Sequence, residues 1–154
     1  MKCPFCGPAI NRQAFYTGKH FVALYDIRPV VKGHSLVVTK RHVSSFLDLN
    51  AEEKAEFVSF TKKAIYIALK FSGAHQFDLI LQEGKDAGQS IRHLHLHIIP
   101  RKRKDSLSLS KASWLRKFQE KEHANRQLDE KELRKIIQKL KTIAENNSKE
   151  IEKL

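Results

Sequence analysis

The stretch His93-Leu94-His95-Leu96-His97-Ile98-Ile99, introduced by Ala87-Gly88-Gln89-Ser90 and closed by Pro100-Arg101, decides how this 154-residue chain folds. A ring alternates with an aliphatic side chain, the period of two that marks a half-buried strand with unlike faces. One face carries three imidazoles, about 6.5–7 Å apart at a rise of about 3.3 Å per residue. The other carries Leu94, Leu96 and Ile98, which need a core to pack on. Pro100 cannot donate to a ladder and is expected to end the strand. Such a histidine row fits three roles: packing, one metal ion held by imidazoles, or nucleophilic catalysis in which one imidazole attacks phosphorus while its neighbours hold phosphate oxygens. Spacing alone does not separate the last two.

Upstream of the row, Phe15-Tyr16-Thr17 and Phe21-Val22-Ala23-Leu24-Tyr25, separated by Gly18-Lys19-His20, read as a β-hairpin. Arg28 to Gly33 is a turn-rich connection, with Gly33 allowing close backbone approach before a third strand at 35–39. Ser44 or Ser45 is a cap for a short helix through Leu49. Asn50 is the N-cap of an amphipathic helix over 51–72, ended by Gly73, whose apolar positions recur at helical spacing. Phe77 to Leu81 is a fourth strand and Ile91 to Ile99 the fifth. Between them Gln82 to Ser90 is too polar and glycine-containing for a regular element.

Beyond Arg101 the charged segment Lys102-Arg103-Lys104-Asp105 leads to a helix start at 110–118 that contains Trp114. A further helix is capped by Asp129, striped by Leu133, Ile136, Ile137, Leu140 and Ile143, and stopped near Asn146-Asn147-Ser148. That stripe suits a packing or dimer surface better than a cofactor site.

Length and 41% apolar content allow one substantial core. No run of about 18 apolar residues is present to cross a bilayer. The N-terminus lacks the apolar segment of a signal peptide, so a cytoplasmic location is expected. The net charge of +12 is uneven. Residues 1–100 carry 13 basic against 8 acidic side chains, +5, and residues 101–154 carry 16 against 9, +7. Such a balance favours polyanions, from nucleotides to RNA bound by the basic tail, although a solvated helical face accounts for much of it. Both cysteines lie in Cys3-Pro4-Phe5-Cys6, a spacing that in a reducing compartment holds metal or does redox work more often than it forms a structural disulfide. A redox motif wants a following βαβ pattern, and the polar stretch Gly7 to Lys19 does not supply one. As half of a zinc knuckle, the pair needs two more ligands from elsewhere.

The segment Gly88-Gln89-Ser90-Ile91-Arg92-His93-Leu94-His95-Leu96-His97-Ile98-Ile99-Pro100-Arg101 resembles the histidine triad (HIT) family of nucleotide hydrolases and transferases. That family is marked by His-φ-His-φ-His-φ-φ after Gly-Gln-Ser/Thr. The resemblance extends upstream through Asp26-Ile27-Arg28-Pro29-Val30-Val31-Lys32-Gly33-His34-Ser35-Leu36-Val37-Val38 and covers about the first 105 residues. It implies an α+β fold: a mainly antiparallel five-stranded sheet with a long helix packed on one face. Residues 1–105 then form the HIT domain, and 106–154 a basic helical extension packed on or flanking it. The N-terminal Cys-x-x-Cys is similar to that of some bacterial HIT proteins, whereas Gln82, where many relatives carry Asn, is similar to the Fhit branch.

The resemblance also implies a site. His95 is the nucleophile, its Nδ1–H held by a backbone carbonyl and its Nε2 attacking the α-phosphorus of a dinucleoside polyphosphate or nucleoside phosphoramidate to give a nucleotidyl-histidine. His97 donates to phosphate oxygens. His34 is a fourth histidine that faces the triad and fixes its tautomers. Asp26 binds the ribose hydroxyls, Gln89 the bridging oxygen, and Ser90 the phosphate or leaving group. The position of the Gly88 loop beside the triad suits its backbone N–H groups to phosphate oxygens. Phe5, Phe15 and Leu24 are candidates for a base pocket or for core. In HIT branches that open with Cys-x-x-Cys, a structural zinc is completed by the positions matching His42 and His93. A purine nucleotide substrate and a homodimer are expected, with Trp114 a candidate to reach a partner subunit's site. Two rivals are a metal-dependent hydrolase built on His93, His95 and His97, and a nucleotide- or RNA-binding adaptor without turnover.

Overall fold

The computed structural model describes residues 3–8, 10–103, 105, 107, 118 and 126–154. Strands β1 (Ala14–Thr17), β2 (Phe21–Tyr25), β3 (Ser35–Thr39), β4 (Gln76–Leu81) and β5 (His95–Arg101) form one antiparallel sheet in the order β1-β2-β3-β5-β4. The histidine strand, last in sequence, therefore lies inside the sheet. His95 pairs with Val38 and His97 with Leu36 on the β3 side, and His97 with Ile80 on the β4 side.

The ends of β5 differ from the sequence expectation for a physical reason. Residues 91–94 enter as a turn, in which the His93 N–H donates to the Ile91 carbonyl at 2.7 Å and the Leu94 N–H donates to Val43 at 2.6 Å. Pro100 does not end the strand. The β3 ladder stops at Ser35 opposite Ile98, whereas β4 continues to pair Phe77 with Pro100 and Gln76 with Arg101. Pro100 thus lies where one flank of the strand is already an edge, a place that tolerates a missing donor.

Helix α1 (Ile10–Gln13) is a single turn that the polar N-terminal stretch concealed. Helix α2 (Ala51–Ser72) begins in a reciprocal capping box, the Asn50 side chain accepting from the Glu53 N–H while the Glu53 carboxylate accepts from the Asn50 N–H. It stops where Gly73 turns left-handed at φ 71°. Helix α3 (Glu130–Asn146) starts in a second capping box, Asp129 with Glu132, and is followed by α4 (Ser148–Glu152). Short 3₁₀ turns occupy Phe46–Asp48, capped by Ser45, and Lys85–Ala87 inside the polar loop before β5.

Both long helices cover one face of the sheet. Leu94, Leu96 and Ile98 meet Phe60, Ala64, Ile67 and Ala68 of α2 in a cluster that also holds Leu133, Ile137 and Leu140 of α3 and Ile151 of α4. Full burial of each such large aliphatic side chain is worth about 1.5–3 kcal/mol. The C-terminal stripe is therefore core, and the C-terminal helix completes the α+β layer. The opposite face carries two smaller clusters: Phe5, Ala14, Val22, Leu24, Leu36 and Val38 at one end, and Val30, Ile80, Ile99, Leu107 and Phe118 at the other. The imidazoles of His95 and His97 lie between them. The helix start expected at 110–118, including Trp114, lies outside the described residues except for Phe118.

Candidate functional site

His95 is 4% exposed and His97 1%, so neither is a surface histidine. The His95 Nδ1–H donates to the carbonyl of His93 at 2.7 Å, which leaves the ring's lone pair on Nε2. On His34 the order is reversed. Its Nδ1 accepts from the Val30 N–H at 3.3 Å, so the proton is on Nε2, which donates to His97 Nδ1 at 2.9 Å. His97 accordingly carries its proton on Nε2. The His34 Nε2–H is also 3.5 Å from Asp26 Oδ2.

Burial holds all of these rings neutral. His34 is pushed down to about 3, first by burial and then by His95. His97 is held well below the usual histidine range by burial and by His34, and His95 is lowered by burial. Asp26 is raised by burial, opposed by the hydrogen bond its Oδ1 accepts from the Arg28 N–H at 2.7 Å. Asp26, His34 and His97 also form a cluster with metal-ligand spacing. The Val30 N–H argues for a chain of hydrogen bonds there instead, because an ion on His34 Nε2 would force a hydrogen onto Nδ1, against that donor.

A cleft of about 260 Å³ opens on this face, lined by His95, His97, Asp26, Ser90, Phe5, Pro4, Gln13, Ile27, Arg28, Leu36 and Ile91. Of the residues singled out in the sequence, His95, His97, Asp26, Ser90 and Phe5 meet here. Phe15 does not, being packed in the helix-side core, and Leu24 is wholly buried beneath the opposite face. Gln89 belongs to the loop's own frame: its Oε1 accepts from the Gly84 N–H at 2.9 Å and its Nε2 donates to the Ser44 carbonyl at 3.2 Å. Gln82 holds the same loop from beneath through the Ala87 carbonyl at 2.8 Å. Gly88 closes the 3₁₀ turn at φ 92°, a conformation that glycine adopts without strain. Sequence patterning carried no signal for Gln13, Ile27, Leu36 or Ile91 as lining residues. Nor did it mark Phe118, whose ring packs edge-on against His34 and His97 at centroid distances of 5.9 and 5.3 Å.

The first histidine of the row faces elsewhere. His93 Nε2–H donates to the Thr39 carbonyl at 2.8 Å, which leaves the lone pair on Nδ1, 3.3 Å from Cys3 Sγ and 3.5 Å from Cys6 Sγ. His42 Nδ1 lies 3.1 Å from Cys6 Sγ. The ligand atoms of Cys3, Cys6, His42 and His93 all fall within 4.8 Å of one another. A tetrahedral zinc holds such donors roughly 3.3–3.8 Å apart, given Zn–S of about 2.3 Å and Zn–N of about 2.0–2.1 Å. Two thiols and two imidazoles, one oriented by a backbone carbonyl behind it, fit zinc by number, chemistry and outer-shell support. His93, His95 and His97 do not converge on one ion, since His93 turns to the cysteines and His97 Nδ1 is engaged by His34.

A five-stranded antiparallel α+β sheet with His95 and His97 on the cleft face and a fourth histidine, His34, behind them is the architecture of the histidine triad class. The HIT domain model matches residues 8–104, and the chain belongs to the HIT family. A HIT-like protein of Mycobacterium tuberculosis is 32% identical over 136 residues, spanning 84% of this chain and 92% of the relative. A bis(5'-adenosyl)-triphosphatase of Dictyostelium discoideum is 35% identical over 107 residues, spanning 68% and 72% of the two chains. Among solved structures, a zinc-bound histidine triad family protein from Mycobacterium smegmatis superposes with a TM-score of 0.69 at 26% identity, covering 96% of this chain and 97% of the other.

Proposed function

We propose that the protein is a nucleotide hydrolase or nucleotidyl transferase that cleaves dinucleoside polyphosphates or nucleoside phosphoramidates at the α-phosphate. One observation carries this: the His95 ring lines the cleft with its Nδ1–H tied to a backbone carbonyl, so that its only lone pair is on Nε2. A neutral, fixed imidazole is the state a nitrogen nucleophile needs. Nε2 forms a bond to the α-phosphorus as the bond to the leaving group breaks. From a dinucleoside polyphosphate the second nucleotide departs as its phosphate anion without needing a proton. From a phosphoramidate the substrate's own P–N bond breaks as the leaving nitrogen takes a proton from solvent and departs as the amine. The positive charge that develops on the His95 ring is met by the His93 carbonyl at Nδ1–H. Water then breaks the P–N bond, releasing the nucleotide and a proton and restoring the lone pair. The His97 Nε2–H donates to a phosphate oxygen and is held in that tautomer by the His34 hydrogen bond. His93 acts from behind, as the carbonyl that orients His95.

Asp26 retains Oδ2 for ribose hydroxyls while Oδ1 is held by Arg28, and Phe5, Ile27 and Leu36 supply an apolar wall suited to a purine. Ser90 offers its hydroxyl to phosphate. Gln89 shapes the loop that presents Ser90 and Gly88, and would need to release Gly84 or Ser44 to reach a bridging oxygen itself. The likeness to the Dictyostelium triphosphatase supports a dinucleoside polyphosphate as substrate. Cys3, Cys6, His42 and His93 would hold a zinc ion, which with four protein ligands has no open position and serves to fix the N-terminus beside the catalytic strand.

A homodimer fits the edge of the sheet. Phe77, Leu79 and Leu81 of the edge strand β4 are 41%, 44% and 37% exposed, and Val58 of α2 is 65% exposed. Leu79, Leu81 and Val58 surround, with Phe46 and Phe57, an apolar hollow of about 400 Å³. An open edge with apolar side chains favours pairing with a second copy. The function is tested by His95→Ala assayed on diadenosine triphosphate: turnover falls by at least 10³-fold, the scale on which loss of a nucleophile is felt, while circular dichroism and zinc content stay unchanged. Wild-type rates in that variant would reject the assignment.

A further inference from the structure

The two thiols and the cleft are joined by one ring. Phe5 lies between Cys3 and Cys6 in sequence, is 8% exposed, and lines the cleft together with Pro4. Its ring meets His93, a member of the four-ligand cluster, edge-on at 5.7 Å, and meets His95 at 5.4 Å with an interplanar angle of 59°. The same hairpin that brings two sulfurs to His93 Nδ1 therefore forms a wall of the cavity in front of His95. The Cys3 carbonyl accepting from the Cys6 N–H at 3.1 Å makes this a tight turn, so Phe5 cannot move independently of the cysteines that flank it.

We propose that Phe5 is a positioning residue that couples the Cys3/Cys6/His42/His93 centre to the cleft, so that a zinc ion and a nucleotide each tighten the other's binding. The inference rests on the nucleotide and zinc assignments above. Without an ion, the four side chains, from three segments, meet through thiol and imidazole contacts, one on an exposed cysteine and an exposed histidine. The His42 and His93 segments are already tied by the Leu94 N–H to the Val43 carbonyl, and it is the Cys3–Cys6 segment that rests on these contacts and on the packing of Phe5. On this proposal the packing of the Phe5 ring with Leu24, Leu36 and Val38 leaves the arrangement of the wall that Pro4 and Phe5 present freer without the ion than with it. An ion joining all four ligands selects that arrangement before the nucleotide arrives, removing an ordering cost that the nucleotide otherwise bears. Linkage makes the effect reciprocal: the factor by which zinc improves nucleotide affinity equals the factor by which nucleotide improves zinc affinity.

The test uses the full chain and AMP, with wild type and Phe5→Ala compared zinc-loaded and zinc-free under a non-chelating reductant. Calorimetry gives AMP affinity, and competition with a chromogenic chelator gives zinc affinity with and without AMP. Wild type should show AMP affinity at least about fivefold higher when zinc-loaded, the lower end of ordinary site-to-site coupling, and the same factor for zinc. Phe5→Ala should still bind zinc, with that factor near one. Phe5→Leu, which keeps most of the volume, should retain the fold and give an intermediate factor, so that a poorly folded alanine variant does not decide the matter. Equal AMP affinity in the two wild-type forms overturns the coupling and leaves the nucleotide site standing. An unchanged factor in both variants overturns the role of Phe5. Failure of the zinc-loaded wild type to bind AMP at all overturns the nucleotide assignment and the coupling with it.

Discussion

Two backbone groups, the Val30 N–H and the His93 carbonyl, fix the protons on His34, His97 and His95. The charge state of those rings then governs two pH dependences. Because burial lowers His95 from 6.5, kcat/KM should stay level as pH falls through 6.5 and decline only further into acid, as a pH–rate profile would show. A decline centred at 6.5 or above would contradict the desolvated nucleophile. Stability has its own sign. An unfolded chain takes up a proton near pH 6.5 on a histidine that the folded chain keeps neutral down to about 3, so the unfolded state binds more protons in that window. Urea midpoints should therefore fall as pH drops from 6.5 toward 3. Asp26, raised by burial, acts oppositely just above 3.8 and trims the slope at the acid end. At this scale the alternating row showed which histidines share a face, because period two is local. It could not show that His93 turns to the thiols or that Phe5 rather than Phe15 faces the cleft, because those outcomes depend on which remote segment arrives opposite.

The helices were legible to the residue where their ends are made by short-range chemistry. Asn50 with Glu53, Gly73, and Asp129 with Glu132 satisfy terminal backbone groups within four residues of one another, so the sequence carries the whole signal. The start of β5 was not legible, because Leu94 leaves the strand to donate to Val43, a partner some fifty residues away. Two substitutions test the packing read from these elements. Leu140→Ala, at a fully buried position between α3 and the sheet, should cost about 2–5 kcal/mol in urea unfolding, the range for a large-to-alanine cavity. Gly33→Ala should cost more than about 1 kcal/mol and lower activity as well. Gly33 has φ 94°, a methyl group there would meet Pro100 Cγ and Ser72 Cβ at 2.9 Å, and the next residue is His34.

Across the whole molecule, one face of the sheet holds the stabilising core and the other the candidate site, with the C-terminal segment contributing to both. Leu140 closes the helix layer, while Leu107 and Phe118 cover the end of the histidine face. Among the described residues no helix is long and apolar enough to cross a membrane. The five strands could be read from alternation and turn residues, but not the order that puts β5 between β3 and β4, since sequence does not say which edges meet. The exposed row on β4 predicts that Leu79→Lys converts a dimer to a monomer in sedimentation velocity, with the monomer still folded. A wild-type monomer at micromolar concentration would remove the dimer from the account. The most direct measurement is the mass of the enzyme quenched in alkali during turnover of diadenosine triphosphate. The account predicts an increase of one adenylate on the peptide that carries His95, lost on brief acid treatment. Product release with no such adduct, or with the adduct on another residue, would contradict it.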